Sequence, residues 1–80
     1  MSTKIPLSRP YRINGEDVTE FEMREPVVKD QLAAGRLEGS QVDREVFLVS
    51  LLIGRAPADL HDLPARDYRK LQLALVAFHE

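Results

Sequence analysis

Apolar residues cluster most densely between residues 42 and 53, where the chain reads VDREVFLVSLLI. Val42, Val46, Val49 and Ile53 recur at steps of four, three and four, which sets them on one face of an α-helix. Phe47, Leu48, Leu51 and Leu52 widen that face until little of the second half stays polar. A helix apolar nearly all round is normally covered on several sides. The run is too short to cross a bilayer, which needs about 20 residues. The pattern therefore predicts a central core helix over 41–53. Its ends agree: Ser40 with Asp43 three residues on resembles a capping box, and Asp43 and Glu45 suit the positive end of the helix dipole. Gly54 suits the left-handed conformation that closes a helix.

Upstream the period changes to two. Leu7, Tyr11 and Ile13 share one parity, while in VTEFEM Thr19, Phe21 and Met23 face one way and Glu20 and Glu22 the other. Such alternation marks strands. Asn14-Gly15 between the two runs is a strong hairpin signal, because both residues tolerate positive φ. The pattern predicts a β-hairpin over 7–24 after a loose lead-in at 1–6, with Pro10 placing the first strand at an edge. A two-residue Asn14-Gly15 loop would pair Tyr11 with Val18 and turn Phe21 and Met23 the wrong way. A three-residue loop through Glu16, or a bulge near Val18, would keep the apolar set together, so one of those two is expected.

Three helices complete the expectation. Pro26 opens the first, over 26–35, with Val28 and Leu32 as the inward pair and Gly35 closing it. The central helix follows. Within the connection at 54–63, one helical turn at Pro57–Leu60 lets Leu60 and Leu63 plug the core. Pro64 starts the last helix, over 64–78, where Tyr68, Leu71, Leu75 and Phe78 step by three, four and three. The whole reads as an α+β fold in a single domain over 1–80, an N-terminal β-hairpin followed by three α-helices packed around the central helix. A lone two-stranded hairpin is marginal in water, so it must lie on the helices or gain strands from another copy.

Composition narrows the chemistry. The chain has no cysteine, which rules out a disulfide framework and thiolate metal sites. Its net charge is −2 and the signs are interleaved. The densest basic group, Arg66, Arg69 and Lys70, lacks the surplus that phosphate binding draws on. Neither nucleic acid nor a membrane is an expected partner. With no signal-like or membrane-length run, the expected location is the cytoplasm. His61, between Asp59 and Asp62, reads as a solvated loop histidine rather than a metal ligand. Ser50 lies inside the core helix, where a hydroxyl bonds back to a carbonyl one turn earlier, and no histidine stands near it as a base. Gly35 and Gly39 match no phosphate-binding loop. The expectation is no enzyme, no catalytic residue, no cofactor and no metal.

Taken in order, LSRPYRINGEDVTEFEMREP, Asp30 in PVVKDQL, and GRAPADLHDLPARDYRKLQLALVAF resemble the phage tail assembly chaperone family, the small tail proteins E of contractile-tailed phages and prophages. The matching features are Pro10, the Asn14-Gly15-Glu16 turn, Val18-Thr19, Arg24-Glu25-Pro26, Asp30, the Leu-rich middle helix, Leu60, Leu63-Pro64 and Asp67. Each is short, and their order and spacing cover nearly the whole chain. The resemblance implies a non-enzymatic chaperone in the bacterial host cytoplasm, absent from the mature virion. It would bind the tape measure protein, hold it soluble and help tail-tube subunits polymerise around it. Tail-tube subunits and further copies of this chain are additional candidate partners. A holdase needs apolar surface, so Tyr68, Leu71, Leu75 and Phe78, with Arg24 and Glu25, are the candidate partner-binding residues. Each has a plainer reading: a core stripe for the four, and a local ion pair and helix start for Arg24 and Glu25. Two other functions stay open. One is a small DNA-binding regulatory module using the basic group near residue 69, although the break at 54–63 is longer than a helix-turn-helix turn. The other is a structural subunit that self-associates by strand addition at the hairpin edge.

Overall fold

Asn14 and Gly15 carry positive φ, 50° and 83°, and turn the chain in two residues between β1 (Ser2–Ile13) and β2 (Glu16–Arg24). Positive φ at both central positions is what a tight hairpin with the right twist requires. The structure, a computed structural model, describes residues 2–79. Residues 2–6, expected as a loose lead-in, are strand and pair with residues 20–24. Ile5 explains the difference: it lies opposite Phe21 and both are buried. Met1, also assigned to that lead-in, and Glu80, the last residue of the expected 1–80 domain, lie outside the described residues.

Of the two expected devices, a longer loop or a bulge near Val18, the register shows the bulge. Tyr11 pairs with Val18, the two-residue arrangement, yet Phe21 and Met23 are buried alongside Ile5 and Ile13. The irregularity is a bulge next to the Tyr11–Val18 pair, with the extra residues in β1, and the turn keeps two residues. From Pro6 to Tyr11 β1 takes five steps, while β2 takes two, from Glu20 to Val18. The excess is odd. It moves the inward parity of β2 from Phe21 and Met23 to Val18, while Ile5, Tyr11 and Ile13 keep theirs. Pro6 and Pro10 flank this bulge and donate no ladder hydrogen bond. The two outer edges of the ribbon differ accordingly: β1 carries the prolines, and β2 an exposed row of Glu16, Asp17, Glu20 and Glu22.

Helices α1 (Val28–Arg36), α2 (Gln41–Ile53) and α3 (Ala65–Phe78) follow, with a 3-10 turn at Pro57–Leu60 before α3. The fold is α+β, as the periodicities predict. A reciprocal cap starts α2: the Asp43 amide donates to Ser40 Oγ at 3.1 Å, and the Ser40 amide to Asp43 Oδ2 at 2.9 Å. Gly39, at φ 140°, leaves room for this cap, because a Cβ there would stand 2.8 Å from Asp43 Oδ2. Gly54 closes α2, and the Ser50 hydroxyl donates to the Phe47 carbonyl at 2.8 Å.

The core joins Ile5, Ile13, Phe21 and Met23 of the hairpin to Val49 and Leu52 of α2, Leu60, Leu63, and Leu71 of α3. Central as it is, α2 is not covered all round: Val42 is 66% exposed, and Val46, Phe47 and Leu48 are half-buried. The cause is the seat of α3, which leans mainly on β1 and touches α2 only briefly. Asp67 fixes that seat. It is fully buried and accepts from both the amide and the hydroxyl of Ser8, in the bulge, at 2.9 Å each. Lys70 Nζ lies 3.7 Å from Asp67 and donates to the Pro6 carbonyl at 3.1 Å. Burial pushes the Asp67 carboxyl up. The Ser8 hydrogen bonds and the charges of Lys70 and Arg66 outweigh it, and the net direction is down.

Helix α1 faces opposite to its apolar spacing. Val28 and Leu32, expected inward, are 71% and 54% exposed, while Asp30 and Ala34 are buried. An ion pair sets this rotation. Arg24 grips Asp30 with both terminal nitrogens, at 2.7 and 2.8 Å, and Asp30 also accepts from the Val27 amide at 2.9 Å. Pro26 therefore precedes the helix rather than opening it, and Gly35 lies inside it. Arg24, then the Val27 amide, hold the Asp30 carboxyl at about 2. An unfolded aspartate titrates near 3.9, so the folded group binds its proton less readily. Its stabilisation is complete above about pH 5 and is lost as the pH falls towards 2. The urea midpoint is expected to fall between about pH 5 and pH 2.5, and Asp30→Asn to flatten part of that fall. An equal fall in the variant would contradict this assignment.

Candidate groove for a protein partner

Because α3 rides on β1, the first half of α2 is left facing an open groove of about 660 Å³. Its walls are the linker before α2, the 3-10 turn and the start of α3. The lining is mostly apolar: buried Leu60 and Leu63, half-buried Leu37, Val46 and Phe47, and exposed Val42. Glu38 and Asp43 are its carboxylates and His61 its imidazole, and no Lys or Arg is among its lining residues. Tyr68 closes one side. Its hydroxyl donates to Glu45 Oε1 at 2.7 Å, and Gln72 Nε2 donates to the same oxygen at 3.0 Å. Burial, then the Glu45 carboxylate, push the Tyr68 hydroxyl up, so it stays a neutral donor. The groove offers contact area and shape, with no nucleophile paired to a base. Among the described residues, no group of His, Asp or Glu is arranged to hold a metal ion. Nor is any helix among the described residues long and apolar enough to cross a membrane.

Residues 4–80 match the family of phage tail assembly chaperone proteins, E, or 41 or 14. The chain belongs to this family. No curated protein and no solved structure matches it. Membership gives the chain a role in phage tail assembly, exercised on protein partners and non-enzymatic in kind. An open apolar groove is surface suited to such a role.

Of the residues read from sequence as partner contacts, Tyr68 alone lines the groove of this tail assembly protein. Leu71 is fully buried in the core. Leu75 and Phe78 are half-buried against that core. Arg24 and Glu25 stand at the β2–α1 junction, where Arg24 holds Asp30 and reaches the Glu25 carbonyl at 3.4 Å. The six residues do not converge on one surface. Leu37, Val42, Val46, Phe47, Leu60 and Leu63 make the groove instead. One signal pointed there: Val42 and Val46 lie in the half of α2 that also holds Asp43, Arg44 and Glu45. Of the basic group, Arg66 and Arg69 are exposed, and Lys70 is bonded to the Pro6 carbonyl.

Proposed function

We propose that the protein is a non-enzymatic tail assembly chaperone of the host cytoplasm that binds the phage tape measure protein. It holds that protein soluble while tail-tube subunits assemble around it, and leaves before the virion is complete. The groove carries this reading. It is apolar, open and preformed, and its lining holds neither a cofactor cradle nor a catalytic pair. A long, apolar-rich protein awaiting assembly is a substrate such a surface can shield. Tyr68 contributes directly, and Leu71 supports α3 from beneath. Leu75 and Phe78 extend the partly covered apolar surface along α3, with Arg24 and Glu25 as a second, polar contact point.

Co-expression tests the reading. With this chain present, the tape measure protein is expected to stay soluble and to co-purify with it through size exclusion. Equal solubility with and without the chain, and no co-purification, would refute the proposal.

A further inference from the structure

We propose that the groove receives one amphipathic α-helix of the tape measure protein, with an apolar stripe flanked by Lys or Arg; this rests on the function proposed above. The helical form follows from the backbone of the walls. The Asp43 amide is held by Ser40 Oγ and the Arg44 amide by the Ser40 carbonyl. In the 3-10 turn and the residues just after it, the amides of Asp59, His61 and Leu63 are satisfied by the carbonyls of Ala56, Ala58 and Leu60. The Ala56 amide is taken by Asp59 Oδ2, and the Asp67 and Tyr68 amides by the Pro64 carbonyl. These wall amides are already taken, so they offer little ladder to an incoming strand. An occupant must satisfy its own backbone while burying apolar side chains, and an α-helix does both. The volume of about 660 Å³ is on the scale of the roughly three or four anchors that one helix face presents at i, i+3, i+4 and i+7.

Charge sets the flanks. The chain has eleven Lys and Arg, yet none lines the groove, whereas Glu38 and Asp43 do. Asp59, in the 3-10 turn, and Asp62, two residues past its end, lie on either side of Leu60 and His61. A helix with acidic flanks would meet like charge at the rim, and a basic one complementary charge. Among the large apolar residues of the lining, Val42 is the one exposed to a partner.

The test uses the full chain, the full-length tape measure protein, and peptides tiled along it. Circular dichroism and isothermal titration give the readout. Binding peptides are expected to gain helicity in the complex and to carry basic residues beside an apolar stripe. Val42→Glu should weaken them at least tenfold. Glu38→Lys, at an exposed position outside the α2 cap, should weaken them about threefold at low salt and little at high salt. Leu32→Glu, on the outer face of α1, should bind as the parent does. Retention of the full-length protein by the parent and equally by Val42→Glu and Glu38→Lys would overturn the groove and leave the chaperone function standing. So would binding peptides that stay extended or carry acidic flanks. No retention by the parent would remove function and groove together.

Discussion

Truncating Leu71 to Ala is expected to lower the unfolding free energy by about 3–4 kcal/mol. Leu71 is fully buried and sits where α3 meets the hairpin, in one cluster with Met23, Val49 and Leu52. Removing its isobutyl group loses transfer free energy and leaves a cavity that a two-stranded ribbon on one side and helices on the other close only in part. For a chain of 80 residues, total stability is on the order of 4–12 kcal/mol. The substitution should therefore remove about half of the urea midpoint, while Leu73→Ala, at a position 58% exposed, should change it little. Equal, small effects at both positions would mean that α3 does not dock through Leu71. A partner assay on Leu71→Ala reports folding first, so loss of binding there says nothing about contact.

Asp67→Ala is expected to cost about 3 kcal/mol, by a different mechanism. The Ser8 amide and hydroxyl lose their shared acceptor, and Lys70 loses its counter-charge. A carboxylate in the first turn of α3 also disappears from the positive end of its dipole. Asp67→Asn keeps an acceptor oxygen without the charge and should fall about midway. Hydrogen exchange at the Ser8 amide, slow in the parent, should become fast. If Ser8→Ala and Asp67→Ala destabilise additively in a double-mutant cycle, the two residues are not coupled and the bulge is held by something else. The seat of α3 also sets one wall of the groove through Ala65 and Tyr68, so Asp67→Ala should weaken partner binding even where the chain stays folded.

Local signals carried far in this chain. The cap at Ser40 and Asp43, the end of α2 at Gly54, the two turn residues Asn14 and Gly15, and the plug formed by Leu60 and Leu63 follow from neighbours in sequence. Failures came where a distant or non-periodic contact decides. Val28 and Leu32 have inward spacing, but Arg24 takes hold of Asp30 and rotates α1 the other way. No hydrophobic period encodes that grip. The need for a bulge near Val18 was legible from parity, but its seat in β1 was not: an odd excess of chain between Pro6 and Tyr11 is written in donor-less prolines and a Ser8–Asp67 bond spanning 59 positions. The groove was the least legible part. It is built from two stretches of the chain, 37–47 and 57–68, and its residues carry the same apolar letters as the core. Only the seat of α3 on β1 leaves them uncovered.

The unequal sides of the hairpin bear on how this protein behaves when crowded. A two-stranded ribbon normally offers two templates on which copies stack into fibrils. Here one side lacks donors at Pro6 and Pro10, and the other sets out Glu16, Asp17, Glu20 and Glu22. Copies approaching along the first side find gaps in the ladder, and two acidic sides brought together repel. The ribbon is thereby guarded against zipping onto its own kind at high concentration, so a chain that acts in tail assembly does not seed its own precipitate.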